Sequence, residues 1–338
     1  MPSIEDGGVE KNFFLISNYL QLKSKNLSIV TISKKIQHKL NKKIKLVTPG
    51  IKYFETIGRR KKFIICILVL MKEIIFNRNV IVLSFQGNVY CALLCKLLFI
   101  KVIIRANTSP SGWSNNKLKN FLYKFLYGLA DLIIVNSLEF KNELKRRFNL
   151  NSCCIYNPID ISKIKRLSRK KVNFSFYSNQ SLNIINISRL SEQKDLFCFL
   201  KSLKIITKKI KVKALIIGNG NQLDNIKKYI SQNKLTKIVK IKGFMKNPFP
   251  YLRKSDLLVL SSKYEGSPNI LLESLSLKKT AISSNCPTGP REILDNGKGG
   301  LLFKTGNAND LAEKILYFNK NKIKCYKKTL YGYKRLSR

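Results

Sequence analysis

The stretch 256–277, DLLVLSSKYEGSPNILLESLSL, constrains the fold more than any other part of the chain. Residues 256–260 form an apolar run too short for a helix and read as a buried strand. Residues 261–268 read as a loop. A helix then begins, with Ser267 as N-cap and Pro268 at the first helical position. Two carboxylates bracket the turn: Glu265 in the loop and Glu273 in the second helical turn. At the helix start the amides of Asn269 and Ile270 offer donors, and the positive end of the helix dipole, to an anion such as a phosphate. A carboxylate beside an anion has another task, because like charges repel. Hydroxyls are its natural partners, and sugars and ribose carry them in pairs. Phosphate on amides with hydroxyls on carboxylates describes a nucleotide-sugar site. On spacing alone, the same acidic pair is also what a solvated helix face produces.

Similar strand, turn and helix patterns recur along the chain. Residues 27–32, 45–47 and 80–84, a stretch from 101, and 131–136 read as strands, and 9–22, 63–76 and 138–148 as helices. In the second half, strands are expected at 183–187, from 213, at 238–243, at 280–283 and at 299–303, and a helix at 309–318. The class is α/β, with open sheets whose strand ends face the ligand crevice. At 338 residues the chain is long for one core and fits two domains. They are expected at 1–165 and 181–320, with a basic, polar linker at 166–180 and a basic tail at 321–338 that could begin a crossover helix. Gly7 and Gly8, ahead of the helix at 9–22, look like the glycine loop after the first strand of a Rossmann-like domain, where a substrate or phosphate approaches the backbone. Only six residues precede them, so that first strand reads as missing or shortened, which opens a gap in a sheet whose first strand is central.

The E-x7-E pattern after a strand resembles the donor motif of family 4 glycosyltransferases, retaining enzymes of GT-B fold in which two Rossmann-like domains face each other across a cleft. TAISSNCPTGPREILDNGKGGLLFKTGNANDLAEKI is similar to that family as well, and IYNPID at 155–160 resembles its exit from the first domain. The resemblance implies that Glu273 holds the ribose hydroxyls and Glu265 those of the transferred sugar. It implies that Arg189 and Lys194, in the stretch LNIINISRLSEQKDLFCFLKSL, grip the diphosphate. The turn of Gly218 and Gly220 would lie beside the donor and Phe244 near the base, although Phe244 reads equally as a core side chain. At strand ends of the first domain, Gln86, Gly87, Asn88, Arg105, Asn107 and Ser109 could line the acceptor side, or simply stabilise turns. Many family members carry a histidine near the position of Asn107, and this chain has none there.

The chemistry implied is transfer of a hexose or N-acetylhexosamine from a UDP-sugar to a glycan or polyprenyl-linked acceptor, with retention, in surface polysaccharide synthesis. No residue reads as a covalent nucleophile, so a front-face displacement is expected, with the donor phosphate accepting the acceptor's proton. Glu265, Arg189 and Lys194 are the candidate catalytic residues; charge on the leaving diphosphate would be met by Arg189, Lys194 and the helix start at Asn269. No D-x-D pair occurs, so neither a metal nor any cofactor beyond the co-substrate is expected.

Net charge +45 has two explanations: a coding bias that spreads lysine over any surface, and attraction to polyanions or an anionic membrane leaflet. The basic run 59–62 leading into the apolar stretch 63–76 could rest on a membrane, or be a helix packed on the sheet with solvated charges at its start. No signal-peptide pattern opens the chain, and the location expected is cytoplasmic, peripheral on the inner face of the plasma membrane. Eight cysteines and one histidine without a C-x-x-C pair point to reduced, mostly buried thiols rather than a zinc site. Three alternatives stand beside the transferase: a GT-B enzyme that epimerises nucleotide sugars, a truncated non-catalytic remnant, and a nucleic-acid binder. The last lacks any helix-turn-helix, zinc-finger or RNA-binding signature, so no nucleic-acid partner is expected.

Overall fold

The computed structural model describes residues 1–2, 7–24, 26–113 and 116–336. They form two compact units, Met1–Pro158 and Ile159–Arg338.

In the first unit, α1 (Gly8–Lys23) precedes β1 (Ser28–Val30), β2 (Lys45–Val47), α2 (Arg59–Phe76) and β3 (Ile81–Ser84). Then follow α3 (Asn88–Leu97), β4 (Lys101–Arg105), α4 (Lys117–Gly128), β5 (Leu132–Val135), α5 (Leu138–Phe148) and β6 (Cys153–Cys154). Among the described residues the strands are parallel and lie in two sheets, β1-β2 and β3-β4-β5-β6. Most of the segment before Gly7, where the first strand reads as missing or shortened, lies outside the described residues, at 3–6. One core of Phe13, Ile29, Ile36, Leu40, Ile44 and Phe85 draws on elements beside both sheets. Side chains cap the helices that the sequence starts cleanly: Ser137 accepts from the Phe140 amide to open α5.

The second unit begins with α6 (Ile161–Ser168) and β7 (Leu182–Ile187). It continues through α7 (Leu196–Ile206), β8 (Val212–Ile217), α8 (Leu223–Gln232), β9 (Val239–Lys242), α9 (Phe249–Lys254) and β10 (Leu257–Leu260). It ends with α10 (Asn269–Ser276), β11 (Thr280–Ser284), α11 (Pro290–Ile293), β12 (Leu301–Phe303), α12 (Ala308–Lys320) and α13 (Lys322–Leu336). Its six strands are all parallel in the order β12-β11-β10-β7-β8-β9. Numbered within the domain this is the 3-2-1-4-5-6 order of a Rossmann fold. Helices cover both faces, so the strands are apolar on successive residues rather than on alternate ones. Ile184, Ala214, Ile216, Leu257 and Val259 pack into one layer, and Ile185, Leu215, Ile217, Leu258 and Leu260 into the other.

Two segments differ from the sequence expectation. Residues 159–180 were expected to divide between the first domain and a linker. Instead Ile164 of α6 is part of the second domain's core, and Leu167, Val172, Phe174 and Tyr177 pack against it. The apolar residues of this basic stretch recur too irregularly to show a period, yet they cover the α9 and α10 side of the sheet. The expected tail forms α13, which packs on its own domain. Thr329 shares a 2.9 Å hydroxyl hydrogen bond with Thr280 of β11. Gly332 lies so close to α10 that a Cβ there would meet Leu275 Cδ2 at 2.9 Å.

Candidate active site

β7 and β10 pair only through Ile184 with Leu257 and Ile185 with Leu258. Beyond those residues the strands part. β7 is followed by neighbours on one side, β8 and β9, and β10 by neighbours on the other, β11 and β12. The crevice at such a reversal is where open α/β sheets bind ligands. Asn186, fully buried in β7, holds the parting: its Nδ2 donates to the Val259 carbonyl at 3.0 Å, where the backbone ladder has ended. Ser188 Oγ donates to Asn186 Oδ1 at 2.8 Å and fixes the amide's orientation.

The loops that leave β7 and β10 at this point carry an ion pair. Lys194 Nζ stands 2.5 Å from Glu265 Oε1, with the two side chains 13% and 8% exposed. Ser262 Oγ donates to the same carboxylate oxygen at 2.6 Å. The loops are also laced through backbone. Ser261 Oγ donates to the Lys194 carbonyl at 2.8 Å, Gln193 Nε2 to the Tyr264 carbonyl at 2.9 Å, and the Lys263 amide to the Gln193 carbonyl at 2.8 Å. A third loop, after β11, closes on them. Thr288 has φ +61°, which is costly for a β-branched residue. Its hydroxyl donates to the Glu265 carbonyl at 2.6 Å rather than capping α11, whose N-cap is Gly289. Gly289 has φ +86°, and a Cβ there would fall 2.4 Å from the Gly266 carbonyl oxygen. Cys286 is buried in the same loop. Burial, and then the negative Glu265, push its thiol up to about 12.

Glu273 is buried in α10. The helix opens one residue later than expected, with Pro268 as N-cap and Asn269 as first residue, and Ser267 does not cap it. Asn269 and Ile270 therefore occupy the first turn, where amides lie at the positive end of the dipole. Arg189, on the loop after β7, is exposed, and its guanidinium has no partner among the described residues. Gly218 and Gly220 serve close approach. Cβ atoms there would lie 1.8 Å from the Ser188 carbonyl oxygen and 2.3 Å from that of Leu190, so these glycines let the β8 turn lie directly on the Arg189 turn. Phe244, just past β9, is 52% exposed, and the core reading of it is ruled out. The residues singled out in this domain thus all follow the C-terminal ends of β7, β8, β9 and β10.

The first-domain candidates are tied into the fold. Arg105 is 2% exposed, and its guanidinium donates to the Ile155 carbonyl at 3.2 Å and to Asn157 Oδ1 at 3.0 Å. Burial holds its pKa below the usual guanidinium range. Asn88 Nδ2 donates to the Arg105 carbonyl, Asn107 Nδ2 to the Phe85 carbonyl, both at 3.0 Å, and Gln86 Nε2 reaches Glu10 Oε1 at 3.4 Å. The Asn88 and Asn107 amides join neighbouring strand ends, Gln86 reaches α1, and Arg105 is enclosed rather than facing a ligand. Ser109 is wholly buried. Gly87 takes φ +68° ahead of α3, while Gly7 caps α1 and Gly8 is its first residue.

Sequence reasoning missed Asn186, Ser188, Ser262 and Cys286. A polar residue inside an apolar strand, as in LNIINI, was the available signal for Asn186. Among the described residues no group of three or more His, Cys, Asp or Glu side chains is placed to hold a metal ion.

The fold is GT-B, with two Rossmann-like domains of parallel sheet. An Anabaena protein solved in complex with UDP superposes on it with a TM-score of 0.74 at 17% identity, over 99% of this chain and 93% of that one. The family model described as "Glycosyl transferases group 1" matches residues 169–335. Residues 169–335 are thus similar to the group 1 glycosyltransferases. An uncharacterized glycosyltransferase of Methanocaldococcus jannaschii is 35% identical over 185 residues, 53% of this chain and 46% of that protein. A Campylobacter jejuni N-acetylgalactosaminyltransferase named for a diphospho-undecaprenol-linked acceptor is 27% identical over 232 residues, 66% of this chain and 62% of that protein. The matched region therefore spans about half to three fifths of these relatives.

Proposed function

We propose that the protein transfers a hexose or N-acetylhexosamine from a UDP-sugar to a glycan or polyprenyl-linked acceptor in surface polysaccharide synthesis, with retention and without a metal. The observation that carries this reading is the Lys194–Glu265 pair at the point where β7 and β10 part. Before donor arrives, each charge neutralises the other. A diphosphate entering between Arg189 and the start of α10 competes for Lys194 Nζ. The Glu265 carboxylate, still held by Ser262, is then left to accept hydrogen bonds from the sugar's hydroxyls. Glu273 accepts those of the ribose, and Phe244 offers an exposed ring to the base. In the transfer step the bond from the anomeric carbon to the diphosphate oxygen breaks. The acceptor oxygen bonds to that carbon from the same face, and its proton passes to the departing phosphate. Arg189, Lys194 and the α10 amides stabilise the charge that develops there. The Anabaena neighbour's complexes with UDP and UDP-glucose support a uridine donor, and the Campylobacter relative's name supports a lipid-linked acceptor. An acceptor of that kind would bring the protein to the cytoplasmic face of an anionic membrane. Among the described residues no helix is long and apolar enough to cross one.

The test is incubation of the protein with UDP-glucose, UDP-galactose and their N-acetyl forms in EDTA, with an undecaprenyl-diphosphate glycan as acceptor. Release of UDP that depends on acceptor, with an α-linked product, is expected. Conversion of the nucleotide sugar without acceptor would instead establish an epimerase. Activity restored only by a divalent metal would overturn the metal-independent step.

A further inference from the structure

The first domain leaves much apolar surface uncovered, and α4 is the extreme case. Its inward face carries Tyr123 and Tyr127, whose rings lie tilted against Trp113 at centroid distances of 5.2 and 4.6 Å. Its outward face carries Leu118, Phe121, Leu122 and Phe125, exposed by 75%, 68%, 54% and 58%. At about 100° per residue these four form one stripe opposite the tyrosines. Lys119 and Lys124, both exposed, flank the stripe on either side. A helix that only packs on a sheet shows the reverse arrangement, apolar within and polar without. α3 packs against α4 and adds exposed Tyr90, Leu93 and Leu97, followed by Phe99, which is 95% exposed. By contrast α2, the stretch whose composition suggests a surface helix, interrupts its exposed Ile64, Leu68 and Ile75 with Lys61 and Lys72 along the same line.

Charge decides what covers this face. At +45, a second copy of the chain is repelled, while a surface of phosphates is attracted. We propose that α4 is an interfacial helix. It lies in the plane of an anionic bilayer with Phe121, Phe125, Leu118 and Leu122 among the acyl chains and Lys119 and Lys124 at the headgroup phosphates. This deepens the lipid-linked acceptor of the proposed function. Vesicle binding is read without donor or acceptor, however, so the membrane site and the transferase can each fail alone.

The experiment is co-sedimentation of the whole protein with vesicles of phosphatidylglycerol and phosphatidylcholine, and of phosphatidylcholine alone. The comparison is with the variant Phe121→Ser/Phe125→Ser, whose changes lie at exposed positions. The wild type is expected to sediment with the anionic vesicles and to retain part of that binding at high salt. The variant is expected to bind roughly a hundredfold more weakly, since burial of each Phe is worth about tenfold. Unchanged circular dichroism and UDP affinity would show the variant folded. Equal sedimentation of both proteins, or complete release of the wild type by salt, would overturn an inserted α4. So would a dimer in analytical ultracentrifugation that the variant dissolves, because the stripe would then be an interface between copies.

Discussion

Lys194 and Glu265 are worth more to each other than to solvent only while both are present. Replacing Lys194 with Ala leaves a carboxylate 8% exposed with Ser262 as its remaining side-chain donor. That is expected to cost about 3 kcal/mol of stability, as for other broken buried pairs. Adding Glu265→Gln removes the stranded charge and should recover a good part of the loss. Urea unfolding of the two variants measures this, and equal losses would mean that the pair carries no coupling. Gly218 makes a second residue-scale case. A Cβ 1.8 Å from the Ser188 carbonyl cannot be absorbed by rotating a side chain, since the obstacle is backbone. Gly218→Ala should lose about 3 kcal/mol or more, whereas Gly58→Ala, with nothing within 4 Å, should change stability by less than about 1 kcal/mol. At this scale the carboxylates and the glycines stand out in the sequence because each is rare in its context, whereas Arg189 and Lys194, in a chain of net charge +45, stand out only by their place after a strand. The sequence did not reveal the serines and Asn186 that hold them. In a chain rich in Ser and Asn, only the fold shows which ones face a parting of strands.

Elements were legible in proportion to how completely they are buried. Thr280–Ser284 and Leu257–Leu260 came within a residue of the reading; both are buried throughout, and the second, LLVL, is the unbroken apolar run of a strand covered on both faces. The start of α10 slipped by one residue, since Pro268 suits either an N-cap or a first position. α4 was not anticipated at all: its apolar stripe points outward, and periodicity alone does not say which way a face turns. Cysteines give the elements a shared pH signature. Burial in α3, in α7 and in the loop after β11 pushes the thiols of Cys95, Cys198 and Cys286 each up to about 12. Below about 8.5 both folded and unfolded states keep these protons. Above it the unfolded chain releases them and the folded chain does not, so stability falls as pH rises toward 12. The urea midpoint should hold steady from pH 7 to 8 and drop by pH 10; a midpoint that stays level would contradict the burial of these groups. In the native state iodoacetamide should label Cys153 first, as the one cysteine that is exposed rather than buried or half-buried.

At the scale of the molecule, each unit repeats the parallel α/β plan. The second unit's six-stranded sheet is continuous, whereas the first unit's described strands fall in two blocks. Donor chemistry is expected to reside in residues 159–338, where β7 and β10 part, with a nucleoside diphosphate bound through Lys194, Glu265 and Glu273. Isothermal titration of UDP in EDTA tests this most directly, with wild type and Glu273→Ala side by side. Saturable binding by the wild type and at least a tenfold loss in the variant are expected. Equal affinity in the two proteins, or no heat from a folded wild type with UDP, would contradict this placement of the donor site.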